Sequence, residues 1–197
     1  MDERALLRTL TKVVTTLSAE EVEFAVAGGL AVYARGGPPS EHDVDIFLLE
    51  QDVETATRAL VAAGMRPEDP PENWLRKVYD GNVLVDLIFR PNYRGNMAEL
   101  LARAEPLRIG PALAPVLDAT DLMVDKLLVL TAHRCDFTPL LPIARGLREQ
   151  IDWDRVAAET AGSPYAQAFL TLVEGLSVAE VTAAGVGAPD TAEGNRT

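Results

Sequence analysis

The chain is poor in the residues that build covalent cross-links and soft-metal sites. Cys135 is its only cysteine, so no internal disulfide can form, and a reducing compartment is expected. One cysteine and two histidines also exclude a structural zinc site. No apolar run approaches the roughly 18–20 residues that span a bilayer. The opening stretch, MDERALLRTLTKVV, is charged from its second residue and has no signal-peptide core, so a cytoplasmic protein without membrane association is expected. Nothing resembles a Ser-His-Asp triad or a phosphate-binding P-loop.

Positive charge is scarce as well. There are 18 Lys and Arg against 30 Asp and Glu, a net charge of −12. Affinity for long nucleic-acid duplexes rests on phosphate neutralisation, so that class of partner is disfavoured. The deficit is uneven, however: residues 74–108 hold six bases and four acids, while 1–73 and 109–197 are strongly acidic. Lys77 and Arg90 flank one strand pair there and Arg94 follows, a local basic surface on which a phosphate-bearing ligand could lie.

Apolar residues make up 48% of the 197, enough for a real core and too many for a disordered chain. Leu6, Leu7, Leu10, Val13, Val14 and Leu17 recur at helical spacing near the start. Residues 23–27 read as a short strand, 30–34 as helix, 43–49 as the strongest strand, and 52–63 as a helix ended by Gly64. Residues 67–73 (PEDPPEN) read as a loop, and 74–79 with 83–89 as a hairpin turning through Asp80-Gly81-Asn82. A helix near 97–104 and a strand near 107–109 follow. After PALAP (111–115) strand signals vanish, and 119–133, 139–149, 153–161 and 164–174 favour helix. The expected organisation is an α/β core over 1–110, a helical region over 111–184 and a small polar tail over 185–197.

The chemistry concentrates on two strands. Asp43 and Asp45 stand two apart in DVDIFLL, so both carboxylates share one face while Val44 and Ile46 take the other. Asp86 is the only acid in VLVDLIF. Like charges on buried strands are costly unless cations neutralise them. Carboxylates select hard ions, so Mg²⁺ is the expected cofactor, with Asp43, Asp45 and Asp86 as ligands. Two such ions about 4 Å apart suit in-line displacement at phosphorus. The competing reading of any one strand aspartate is a solvated edge residue; the third acid on a second apolar strand tips the balance to a metal site. Gly28-Gly29, between a strand and a helix, lets backbone amides approach a phosphate.

FAVAGGLAVYARGGPPSEHDVDIFLL, residues 24–49, resembles the signature of minimal nucleotidyltransferases of the DNA polymerase β superfamily, and VLVDLIF resembles the strand carrying their third carboxylate. The resemblance implies a mixed sheet with flanking helices followed by a C-terminal helical region. DLMVDKLLVLTAHRCDF, residues 121–137, resembles the AbiEii-type group, which includes toxins of toxin–antitoxin pairs. By that resemblance Gly28 and Gly29 contact the triphosphate of a nucleoside triphosphate, Asp43, Asp45 and Asp86 bind Mg²⁺, and Asp86 helps deprotonate the acceptor hydroxyl. Lys126 neutralises triphosphate charge and Asp136 supports the acceptor or the lysine. Where relatives carry Arg and Ser or Thr before the first aspartate, this chain has Pro39 and Glu41, with Arg35 and Ser40 nearby; Ser40 and Lys77 are the nucleotide-binding candidates that remain.

Taken alone, Lys126 reads first as a lysine snorkelling to solvent from a helix whose apolar side faces the core, and second as one pointing into the cleft. His133 falls on the same helical face, and Arg134 reads as a helix-end cation near the last carbonyls. Trp74 and Tyr79 are candidates for base stacking or for packing. The function implied is transfer of a nucleoside monophosphate to a hydroxyl. The subgroup resemblance points to a toxin acting on tRNA 3′ ends, with an antitoxin partner. A cationic small molecule of the aminoglycoside type fits the net charge better, and a protein hydroxyl is a third acceptor. A catalytically weak binding module is the alternative outside enzymes.

Overall fold

The computed structural model describes residues 3–40, 43–91 and 96–180. Helix α1 (Glu3–Ala19) buries Leu6, Leu10, Val13, Val14 and Leu17, the side its periodicity selects. Strand β1 (Phe24–Val26) runs directly into α2 (Gly28–Ala34), and β2 (Asp43–Leu48) follows. Next come α3 (Val53–Ala62), β3 (Arg66–Glu68), β4 (Leu75–Asp80) and β5 (Val83–Ile88). Helix α4 (Met97–Ala102) leads to β6 (Glu105–Ile109) and β7 (Ala112–Val116). Four helices close the described chain: α5 (Ala119–Leu128), α6 (Leu140–Leu147), α7 (Trp153–Glu159) and α8 (Pro164–Gly175).

The strands form one mixed sheet in the order β3-β4-β5-β2-β1-β7-β6. Strand β2 lies at its centre, parallel to β5 and antiparallel to β1. Val44, Ile46 and Leu48 project to one face together with Val78, Val85 and Leu87, and there α1 packs on β2 while α3 packs on β4. Asp43, Asp45 and Phe47 project to the other, where α2 and α5 lie. The C-terminal helices share a single apolar cluster with the sheet. No helix among the described residues is long and apolar enough to cross a membrane.

The mixed sheet with flanking helices agrees with expectation, but three local readings need correction. Residues 67–73 were expected to be loop throughout, whereas β3 adds a short edge strand on β4 through Arg66, Pro67 and Glu68. All three are exposed, so no apolar alternation marked them. Strand structure also does not end at 111. Strand β7 sits between β1 and β6, and Gly110-Pro111 closes the β6–β7 hairpin. Alanine and proline are poor strand formers, which hid β7; Pro106 and Pro115 face each other across that ladder. Finally, α5 stops at Leu128 instead of running to 133.

Helix α5 starts where Asp118 caps it, its Oδ1 accepting from Thr120 N at 2.9 Å and Asp121 N at 3.1 Å. Asp121, with no exposed surface, accepts from Arg103 Nε at 2.9 Å and Nη2 at 3.0 Å and also from Arg155 Nη2. A buried carboxylate needs such partners. The cluster ties α5 to the segment after α4 and to α7, and so holds the helix that carries Lys126.

Candidate active site

Parallel pairing of β2 with β5 sets Asp45 directly beside Asp86, with Asp43 one step along the same face. Carboxylate oxygens of Asp43, Asp45 and Asp86 lie within 4.8 Å of one another. Burial first, then Asp43 and Asp86, push the Asp45 carboxyl up from 3.8 to about 7, against a pull from Lys126. Asp86 is pushed up as well, mainly by burial, with Lys77 opposing and Asp43 and Glu72 adding to the rise. Its Oδ1 is buried and makes no hydrogen bond among the described residues. Lys77 Nζ stands 3.9 Å from that oxygen, an ion pair too long for a hydrogen bond. The donor set is therefore all oxygen, negatively charged and under-neutralised, which fits a hard divalent cation and no soft one.

Gly28 closes over this cluster. Its φ is +57°, and a Cβ there would collide with Asp45 Oδ2. Glycine is needed for both reasons. Ala27 N donates to Asp45 O at 2.9 Å, fixing the turn to the metal-type strand. A Cβ on Gly29 would strike Ser40 Oγ, so Ser40 sits against the second glycine.

A cavity of about 450 Å³ opens from Gly28, Asp45 and Asp86. Lys126 and Arg134 line one part of it, while Phe47, Trp74, Leu75 and Ile88 line an apolar part. Lys126 is partly buried; desolvation lowers its pKa, and Asp45, Asp125 and Asp43 raise it in that order. A wider crevice of about 820 Å³ beside Trp153 and Glu174 lies among the C-terminal helices and holds none of the three strand aspartates.

The remaining sequence candidates are placed as follows. Asp136 is exposed, its Oδ1 accepting from Thr138 N at 2.9 Å, and it does not line the cavity. His133 is exposed in the turn after α5, so it shares no helical face with Lys126. Arg90 is engaged with Glu50 at 2.5 Å, which leaves Lys77 as the member of the expected basic surface that faces the cluster among the described residues. Arg94 and Glu41 lie outside the described residues. Trp74 lines the cavity, whereas Tyr79 carries Arg66 over its ring at 4.8 Å. Sequence reasoning missed three groups near the site: Glu72, whose Oε2 is buried without a hydrogen bond among the described residues, Asp125, and Arg134 as a lining residue. The acidic run just before β4 was the one visible signal for Glu72.

A family described as "Uncharacterised nucleotidyltransferase" matches residues 1–183 through its sequence model. The chain belongs to that nucleotidyltransferase family. No curated protein matches it. Among solved structures it is similar to ANT(2")-Ia in complex with adenylyl-2"-tobramycin, with 12% identity, a TM-score of 0.57, and coverage of 87% of this chain and 98% of that one. It is similar also to an antigenic nucleotidyltransferase-like protein from Paracoccidioides brasiliensis, at 17% identity and TM-score 0.57, covering 87% and 88%. The lincomycin-bound lincosamide adenylyltransferase LnuA aligns at 14% identity and TM-score 0.51, over 69% and 92%. At these identities the likeness concerns the fold: a nucleotidyltransferase sheet with its helical flank. The family membership makes the chain a nucleotidyltransferase enzyme.

Proposed function

We propose that this nucleotidyltransferase moves a nucleoside monophosphate from a Mg²⁺-bound nucleoside triphosphate to a hydroxyl of a small amine-bearing molecule. The observation that carries the transfer is the convergence of Asp43, Asp45 and Asp86 under Gly28, with a buried oxygen of Asp86 lacking any hydrogen bond among the described residues. These three carboxylates would hold hard divalent ions, which when bound supply charge neutralisation and Lewis acidity at the phosphates.

The chain's own groups have distinct tasks. Gly28 and Gly29, lacking side chains, let the triphosphate approach the backbone, with Ser40 beside them. Lys126, which lines the cavity within electrostatic reach of Asp45, neutralises phosphate charge. The acceptor oxygen forms a bond to the α-phosphorus, the bond to the β-phosphate oxygen breaks, and pyrophosphate leaves. Asp86, whose burial favours its protonated form, receives the hydroxyl proton. Asp136, exposed and bound to its own turn, supports the loop after the lysine helix.

Charge favours the amine-bearing acceptor over a polynucleotide. Glu72 sits close enough to Asp86 to raise its pKa and keeps an oxygen without a hydrogen bond among the described residues. Residues 67–73 add Glu68 and Asp69 and no base. An ammonium group would satisfy Glu72, whereas a phosphate backbone would be repelled.

Incubation of the purified protein with each α-labelled triphosphate, Mg²⁺, hydroxylated amines including aminoglycosides, tRNA and protein extract tests the reading. Label should appear in the small-molecule fraction. Label on tRNA 3′ ends would move the assignment to an AbiEii-type toxin with an antitoxin partner. Label on protein would move it to protein modification. Absence of label, together with no thermal stabilisation by any Mg²⁺-triphosphate, would leave a binding module.

A further inference from the structure

Arg134 reaches the cavity by a device that the helical periodicity conceals. Helix α5 ends at Leu128, and the chain reverses at once. Thr131 N donates to Arg134 O at 3.1 Å and Arg134 N donates to Thr131 O at 3.0 Å. This closed turn returns Arg134 to the cavity wall on which Lys126 stands. Two cations thus line one cavity with Asp45 and Asp86.

Their electrostatic situations differ. Lys126 is opposed by Asp45, Asp125 and Asp43. Arg134 has no hydrogen bond or ion pair from its side chain among the described residues, whereas Arg35, Arg90, Arg103 and Arg155 each hold a carboxylate. Its guanidinium is solvent-exposed, planar and fixed at its backbone, which suits a two-pronged contact with phosphate. A nucleoside triphosphate carries about four negative charges when fully ionised, more than Lys126 alone offsets at its distal end.

We propose that Arg134 is the contact for the terminal phosphate of the donor, and that it makes this enzyme select triphosphates over diphosphates. The assignment rests on the nucleotidyl-transfer reading above. Under it the α-phosphate lies at the strand aspartates, the β-phosphate near Lys126 and the γ-phosphate within reach of the turn. Nucleoside monophosphates would not meet Arg134.

The test is calorimetric titration of the full chain in Mg²⁺ with ATP, GTP, CTP and UTP, the matching di- and monophosphates, and inorganic tripolyphosphate, for wild type, Arg134→Ala and Arg134→Lys. Because a charge-assisted, bidentate phosphate contact is lost, Arg134→Ala should weaken triphosphate binding about tenfold or more. Diphosphate and monophosphate affinities should stay as in wild type, so the preference for triphosphate collapses. In turnover, KM for the triphosphate should rise while kcat holds, and Arg134→Lys should recover part of the loss. Wild-type binding with an unchanged triphosphate-to-diphosphate ratio in Arg134→Ala would overturn this assignment alone. A wild type that binds no nucleotide would overturn the transfer reading and this assignment with it.

Discussion

On one face of β2, Val44, Ile46 and Leu48 are buried beneath α1; on the other, Asp43 and Asp45 meet Asp86 in a cleft. The same six residues serve a dry interior and an ionic site, because successive side chains point to opposite faces. The comparison teaches that stability and chemistry are separated here by a single residue step. The apolar face supplies the burial that keeps the strand in place. That rigidity holds three mutually repelling carboxylates at close range, where bound cations would favour all three ionised forms.

Substitution on each face should break this division in opposite ways. The largest effect is expected from Asp43→Ala or Asp45→Ala. Either should lower nucleotidyl transfer about 10³-fold or more, the scale of transition-state charge stabilisation in phosphoryl transfer, with the melting transition retained. Wild-type turnover in either variant would remove the metal-assisted mechanism.

Ile46→Ala, one residue away, should do the reverse. Ile46 has no exposed surface, so its truncation should cost about 2–5 kcal/mol in denaturant unfolding. Turnover per folded molecule should be preserved. A catalytic loss as deep as that of Asp45→Ala would show that the two faces are not separable.

The smallest effect sharpens the electrostatics of the ionic face. Without divalent ions the Asp45 carboxyl is pushed up to about 7, so the folded state holds a proton there that the unfolded chain releases near 3.8. The contribution of Asp45 to stability is therefore greatest at low pH and declines as pH rises through 7. In chelator, the melting temperature of wild type relative to Asp45→Asn should fall between pH 5 and pH 8. Divalent-ion affinity should rise over the same interval, because the ligand must be ionised. A flat difference across that range would mean that Asp45 is already ionised without metal.

Legibility followed the same division. The central strands could be read because an acid in an apolar alternation is anomalous: Asp43, Asp45 and Asp86 each stood out from Val, Leu, Ile and Phe neighbours. Gly28-Gly29 was legible for the same kind of reason, as a break between strand and helix. Strands β3 and β7 were not, since one is wholly exposed and the other is written in Ala and Pro. The acidic run before β4 marked Glu72 as charged, but that loop has no period to place it near Asp86. Arg134 was misplaced because apolar residues continue to Leu130, past the true end of α5 at Leu128.

Local pattern was sufficient for the α/β class, the amphipathic first helix and the shared side of the two β2 aspartates, since each depends only on near neighbours along the chain. Which distant groups meet was settled by folding. Asp86 stands beside Asp45 through the register of a parallel pair, Gly28 over Asp45 through the β1–α2 turn, and Arg134 beside Lys126 through a two-residue reversal. Such meetings depend on long-range packing and strand register, and neither is encoded in any local period.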